Sequence, residues 1–222
     1  SYIILYYMMN PINNKTIVIV VAIIIVLLLL TIGVYYTFFS IDQYTSILCK
    51  PTHFVKDFNM YVPNEKLPLS KTGNSFTYSL WINIQNVAEN SQWQSNVNYK
   101  KPILYRYGSP NINYYPKDHN LQIQMSYKDS NDDINYYDID LTTLPMQKWV
   151  NIIIILENRN IDIFIDTIRY RSAILPNVPF IFNRNVYMGE SDNNFNGYVG
   201  GVKYYNRALK ENDIANIYTA GL

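Results

Sequence analysis

The sequence predicts an all-β antiparallel sandwich preceded by one N-terminal transmembrane helix. Three observations carry that prediction. Thr16 to Phe39 is an unbroken apolar run with no charge, no proline and one glycine. From Phe76 onward, short segments alternate apolar and polar residues with period two and are joined by turn residues. Helical spacing recurs only near the C-terminus, where Ile214, Ile217 and Tyr218 stand at i, i+3 and i+4.

As a helix, residues 16–39 would be about 36 Å long, enough to cross a ~30 Å hydrocarbon core with some tilt. A helix is also the one single-segment form that satisfies its own backbone groups in lipid. The run is longer than the h-region of a signal peptide, which is about 7–15 residues. It ends in bulky Tyr35, Tyr36, Phe38 and Phe39 rather than a small-x-small cleavage pattern. The reading is a single-pass anchor with its aromatic end at the interface, so the lipid bilayer is an expected partner through residues 16–39. Residues 1–15 form an N-terminal tail, in which Met8 and Met9 are candidate start positions. Lys15 is its only charge, so charge says little about orientation.

Residues 40–73 read as a juxtamembrane connector. They contain Pro51, Pro63 and Pro68 and show no sustained period, although Phe54 to Val62 is a candidate first strand. Residues 74–222 carry the sandwich and a short C-terminal helix. FTYSLWINI, from Phe76, puts Phe76, Tyr78, Leu80, Ile82 and Ile84 on one face. ILYRY follows from Ile103, then LQIQMSY from Leu121 with Gln122, Gln124 and Ser126 outward, then YYDIDL from Tyr136. KWVNIIIILE, from Lys148, is nearly continuous and so reads as central. Asn158-Arg159-Asn160 turns it into IDIFID, a hairpin. IRYRS, NVYMG and GYVGGVKYYN supply three more strands. Trp81 and Trp149 read as core or inter-sheet residues. Many short strands at regular spacing indicate a sandwich.

Net charge is +1, which gives no electrostatic footprint for nucleic acid. Cys49 is the single cysteine, so no intrachain disulfide can form, and Asn14-Lys15-Thr16 is the only glycosylation sequon.

Read together, FTYSLWINI, KPILYRYG, LQIQMSY, MQKWVNIIIILENRNIDIFID and FNGYVGGVKYYNRALKENDIANIY occur in one order. That order resembles the laminin-G-like branch of the concanavalin A-like lectin/glucanase superfamily, over about Ser75 to Leu222. Phe195-Asn196-Gly197 with Tyr205-Asn206-Arg207-Ala208-Leu209 is its most specific part. The resemblance implies a jelly-roll sandwich that binds, and the opening strand is similar to copies in large DNA viruses. Three departures stand out. Asp166-Thr167 replaces the family's Asp-Gly turn, which predicts a different turn type because threonine resists positive φ. Met188-Gly189-Glu190 puts a carboxylate where a small residue is usual. Lys210 stands where a helix cap is expected, which leaves Asn206 as the candidate cap.

The glucanase branch implies a Glu-x-Asp-x-Glu triple, and none occurs here. Asp138 with Asp140, and Asp162 with Asp166, have strand spacing but no Glu partner, and read as solvated carboxylates. His53 and His119 read as surface residues, so the chain is expected not to be an enzyme. No cofactor is expected; the resemblance leaves Ca²⁺ open at two oxygen-rich loops, Ser130 to Asp133 and Glu190 to Asn196, whose composition is also ordinary turn chemistry. Candidate binding residues are the aromatics Trp93, Tyr107, Tyr114, Tyr115 and Tyr136 and the polar Glu190, Asp192 and Asn194. Exposed tyrosine beside amide and carboxylate suits a sugar and suits a protein interface equally well. The resulting expectation is a membrane-anchored, non-catalytic binding protein of a large virus particle, its sandwich exposed and touching capsid proteins or a receptor or glycan. The alternatives are a cell-surface lectin and a degenerate glycosidase.

Overall fold

The computed structural model describes residues 14–39, 44–48, 50–54, 57–68, 70, 74–85, 100–142 and 144–222. The chain divides into two compact units, residues 1–42 and 43–222. The first contains helix α1 (Asn14–Phe39). Its side chains from Lys15 to Val34 are all exposed, and among the described residues this is the one helix long and apolar enough to cross a membrane.

The second unit is a two-sheet antiparallel sandwich. Its strands are β1 (Tyr44–Leu48), β2 (Thr52–His53), β3 (Met60–Val62), β4 (Phe76–Ile84), β5 (Lys101–Tyr105), β6 (Asn111–Tyr115), β7 (Asn120–Lys128), β8 (Ile134–Leu141), β9 (Val150–Glu157), β10 (Asn160–Ile165), β11 (Ile168–Ile174), β12 (Val186–Met188) and β13 (Gly197–Tyr205). Helix α2 (Glu211–Ala220) closes the chain. One sheet runs β1-β13-β4-β9-β10-β11, with β2 also on β13; the other runs β3-β12-β5-β6-β7-β8.

The expected strands follow from their periods. β4 sends Phe76, Tyr78, Leu80, Ile82 and Ile84 into the inter-sheet core, where they meet Ile103, Ile112, Leu121 and Ile123 of the other sheet. β9 is buried on both faces, which is why its sequence is a continuous apolar run. Its inner side faces the main core, while Ile153 and Ile155 face Phe164, Tyr205, Leu209 and Ile214 beneath α2. The helix therefore covers the outer face of the seven-stranded sheet. Trp81 and Trp149 are only half-buried, not core residues; Trp81 stacks on Tyr218 of α2 with ring centroids 5.4 Å apart.

Four expectations need correction. The connector 40–73 is not separate from the sandwich, because β1, β2 and β3 pair into its sheets. At five, two and three residues these strands are too short to show a period, and Pro51 and Pro63 fall just outside them, as is usual at edges. The candidate strand from Phe54 to Val62 shrinks to Met60–Val62; Phe54 is instead a fully buried plug whose N–H donates to the Gly197 carbonyl at 2.9 Å. The Asp166-Thr167 turn keeps the two-residue hairpin geometry, with φ of 47° and 73°. The Asp166 carboxylate accepts from the Asn151 N–H at 2.9 Å and so holds threonine in a conformation it disfavours. Asn206 does not cap α2. Asp213, in the first turn, accepts from the Lys210 N–H and from Arg207 Nη1, each at 2.9 Å.

Candidate functional site

The outer face of the six-stranded sheet has no α2 over it. Neighbouring strands lie about 4.8 Å apart and alternate residues point outward, so pairing register fixes what stands side by side. One row crosses all six strands: Tyr61, Tyr187, Tyr105, Asn111, Gln124 and Asp138. Five strand spacings make that row about 24 Å long. A second row runs Pro102, Asn113, Gln122, Asp140. A bulge between Pro102 and Leu104 buries Ile103 and Leu104 together and returns Tyr105 to the outer face. Aromatics thus occupy one end of the face, amides the middle and carboxylates the other end.

The amides are oriented by their partners. Asn111 Oδ1 accepts from the N–H of Gly108 at 2.6 Å and of Arg106 at 3.1 Å. Its Nδ2 must then face along the row, where it donates to Gln124 Oε1 at 3.0 Å; Gln124 Nε2 donates in turn to Asp138 Oδ1 at 2.9 Å. In the second row, Tyr115 donates to Gln122 Oε1 at 3.2 Å. Asn113 breaks the pattern. It is 3% exposed, and its Nδ2 has no hydrogen-bond partner among the described residues. A buried donor of this kind is costly to leave unmade unless something arrives to accept from it.

Asn113 lies in a cleft of about 520 Å³ whose walls include Tyr105, Tyr107, Tyr187 and Glu190. The Glu190 wall is built on Gly189, at φ 71°, where a Cβ would sit 2.7 Å from the Phe58 ring and 2.9 Å from Asn194 Oδ1. Asn193 Nδ2 donates to Glu190 Oε2 at 2.6 Å, and Lys101 Nζ donates to Asn193 Oδ1 at 3.1 Å. Burial lowers the Lys101 pKa, and the Glu190 carboxylate opposes that shift. Tyr107, at φ 53°, sits with its ring 4.8 Å from that of Tyr105 and 5.6 Å from the Arg184 guanidinium.

Of the residues singled out in the sequence, Tyr107 and Glu190 line this cleft. Tyr136 and Tyr115 belong to strands of the same sheet; Tyr136 is exposed and packs over Gly108, and Tyr115 is half-buried beside Gln122. Asp192 is exposed on the loop beyond Glu190, at φ 63°. Two are corrected. Tyr114 is 1% exposed because period two turns it inward when Tyr115 turns out; it donates to or accepts from His119 Nδ1 at 3.1 Å, and burial pushes its pKa up to about 12. Asn194 is 1% exposed and structural: it accepts from the Glu190 N–H at 2.9 Å and donates to the Phe58 carbonyl at 2.6 Å. Trp93 lies outside the described residues. Sequence reading missed Tyr61, Tyr105, Tyr187, Asn111 and Asn113, because β3, β6 and β12 were not paired with their neighbours.

No group of three or more His, Cys, Asp or Glu suited to a metal occurs among the described residues. In the Ser130 to Asp133 loop, the Asp129 carboxylate is already engaged by the Asn131 and Asp133 N–H groups and by Asn135 Nδ2. Asp138 and Asp140 share one strand and face glutamines rather than a second acid across a bond. The site presents flat aromatic surface, oriented amides and acceptors, which is chemistry for holding hydroxyl groups.

A family model described as the concanavalin A-like lectin/glucanases superfamily, of laminin G type, matches residues 58–215. Comparison with curated proteins gives no match. Among solved structures, the chain is similar to the botulinum neurotoxin serotype D binding domain, at 13% identity and TM-score 0.58, over 81% of this chain and 46% of that one. It is similar to the serotype D ligand binding domain in complex with N-acetylneuraminic acid, at 13% identity and TM-score 0.56, with the same coverage. The binding domain of Paraclostridial mosquitocidal protein 1 is a third, at 15% identity and TM-score 0.52, over 81% of this chain and 46% of that one. At these identities the likeness is one of fold, and the chain spans less than half the length of each of these chains.

Proposed function

Since the chain belongs to the concanavalin A-like lectin/glucanase superfamily, we propose that it is a membrane-anchored glycan-binding module, and that the outer face of its six-stranded sheet is the binding surface. The observation that carries this reading is the buried, unpartnered Asn113 Nδ2 at the floor of a cleft walled by tyrosines. Sugar rings offer a flat C–H face to tyrosine and a hydroxyl acceptor to an amide N–H. The complex of a fold neighbour with N-acetylneuraminic acid favours the same ligand class. The row of oriented side chains would bind without catalysis: among the described residues, Asp138 and Asp140 pair across the strand with Gln124 and Gln122 rather than with an acid.

The finer part of the proposal concerns setting. α1 would hold the module in a lipid bilayer, and that bilayer would be a virion membrane, with capsid proteins or a host receptor as further partners. Mass spectrometry of purified virions tests that part alone.

The binding part is tested on the full chain in detergent, using a glycan array followed by titration of the best ligand. Saturable binding that falls at least about tenfold in Tyr187→Ala supports it. An array without hits, or hits unaffected by Tyr187→Ala and Tyr105→Ala, refutes it. Hydrolysis of any glycan that disappears in an Asp138/Asp140 double variant would refute the non-catalytic reading instead.

A further inference from the structure

A second cavity lies elsewhere, between the ends of the two sheets. Its volume is about 350 Å³, at the small end of ligand pockets, which run from about 300 to 1,000 Å³. Phe76 of β4 and Tyr204 of β13 line it from one sheet, and Arg106, just beyond β5, from the other. Asn64, Phe182 and Asn183 complete the rim. Arg106 is 4% exposed, and the way it is held is unusual for a buried cation. Its Nη1 donates to the Tyr78 hydroxyl at 3.2 Å, Nη2 to Asn64 Oδ1 at 3.1 Å and Nε to the Arg184 carbonyl at 3.3 Å, and the guanidinium lies 5.5 Å from the Tyr204 ring centroid. Each of these partners is neutral. Other cations of the sandwich do meet acids: Lys128 meets Asp132, Arg169 meets Glu211 and Arg207 meets Asp213, all nearer the surface.

A buried charge is ordinarily paired, because neutral hydrogen bonds replace its lost hydration only in part. A guanidinium has five N–H donors in a planar fork; the Tyr204 hydroxyl accepts from it beside the three partners above, which leaves one donor. The fork borders an open cavity rather than packed side chains. The charge, the spare donor and the space coincide, which a purely structural arginine does not require.

We propose that this mouth between the sheets is a second binding site, for a small organic carboxylate with an apolar body, and that Arg106 supplies its counter-charge. One carboxylate oxygen can accept from the remaining guanidinium N–H, a charge-assisted hydrogen bond that also neutralises the buried cation. One cation suits a monoanion rather than phosphate. The walls formed by Leu67, Phe76 and Phe182 suit an apolar body, and the Asn64 and Asn183 amides suit a polar edge. The site is distinct from the tyrosine face, since Arg106 points inward where Tyr105 and Tyr107 point outward.

The probe is benzoate, with neutral benzamide as its near-isostere, titrated calorimetrically against the full chain in nanodiscs with empty nanodiscs as the blank. The expected result is saturable benzoate binding, at least about tenfold weaker for benzamide and for Arg106→Gln. Asn183→Trp, which narrows the exposed rim without touching the guanidinium, should weaken benzoate similarly while leaving glycan binding on the outer face unchanged. Absence of benzoate binding by the unaltered chain overturns the proposal, as does equal affinity for benzamide. Undiminished binding by Asn183→Trp overturns it too, and that arm decides the question if Arg106→Gln does not fold.

Discussion

Replacing Asn113 with leucine should move stability and ligand affinity in opposite directions. The residue is 3% exposed on β6, paired with Pro102 and Gln122, and its Nδ2 donates to nothing. Burying an unsatisfied donor costs about 1–3 kcal/mol. Leucine keeps the branched shape, removes the donor and suits a strand better than asparagine; because the side chain borders the open cleft, the overpacking penalty falls at the low end, about 1 kcal/mol. The balance expected here is a gain of about 1 kcal/mol, which in a domain of this size raises the melting temperature by about 2–4 °C. The same change deletes one ligand hydrogen bond, a net loss of about 0.5–1.5 kcal/mol, or up to about tenfold in affinity. Thermal unfolding followed by circular dichroism and titration of the best array glycan measure the two. Ser79→Ala is the control. Its hydroxyl is also buried and unpartnered, but it lies on the seven-stranded sheet, so it should share the stability gain without the loss of affinity. Should Asn113→Leu unfold at lower temperature with affinity intact, the amide has a structural partner and the reasoning about the cleft fails.

Thr167→Gly should stabilise the β10–β11 hairpin by about 1 kcal/mol, because a β-branched residue is held at φ 73°, and chemical denaturation reads the change in midpoint. Gly197→Ala should destabilise strongly, by about 3 kcal/mol or more, since its Cβ would meet the Phe195 ring at 2.3 Å and the Asn83 carbonyl at 2.5 Å; the same denaturation assay checks it. Burial works against ionisation of Asp213, but hydrogen bonds from Arg207 and the Lys210 N–H, with the charges of both, hold its carboxyl below the ordinary 3.8. Its contribution is therefore present above that value and lost as pH falls through the lower folded one, so protection of α2 amides against hydrogen exchange should weaken at acid pH in the unaltered chain and be weak at every pH in Asp213→Asn. Deleting residues 1–42 should release the chain from liposomes in a flotation assay; continued flotation would mean that α1 is not the membrane contact.

The inward half of the sandwich was readable because burial writes a period into sequence. β4, β7 and β9 each show whether one face or both are covered, and the run from Ile152 to Leu156 announced a strand packed on two sides. The outward half leaves no such mark, since any solvated face is polar. Gln122 and Gln124 were visibly outward, but nothing in one strand says that Asn111 and Asn113 stand beside them. That depends on register with β6, whose NINYY looks like a loop because asparagine is rare in strands. The same blindness explains Tyr114 and Tyr115, where adjacent identical residues hide which one faces the core.

A functional face built across strands is therefore a product of pairing, and its residues come from segments far apart in the chain. Tyr61 and Tyr187 are neighbours only because two three-residue strands meet at the sheet edge, and Arg106 meets no acid among the described residues because the segments around it bring amides, hydroxyls and a carbonyl instead. What marks both cavities as places for a ligand is a polar group whose local chemistry is incomplete: an N–H without an acceptor in one, a cation without an anion in the other. What separates these two from Ser79, whose hydroxyl is also unpartnered, is that each borders an open cavity, so each predicts its ligand's complementary chemistry, a neutral acceptor for Asn113 and a carboxylate for Arg106.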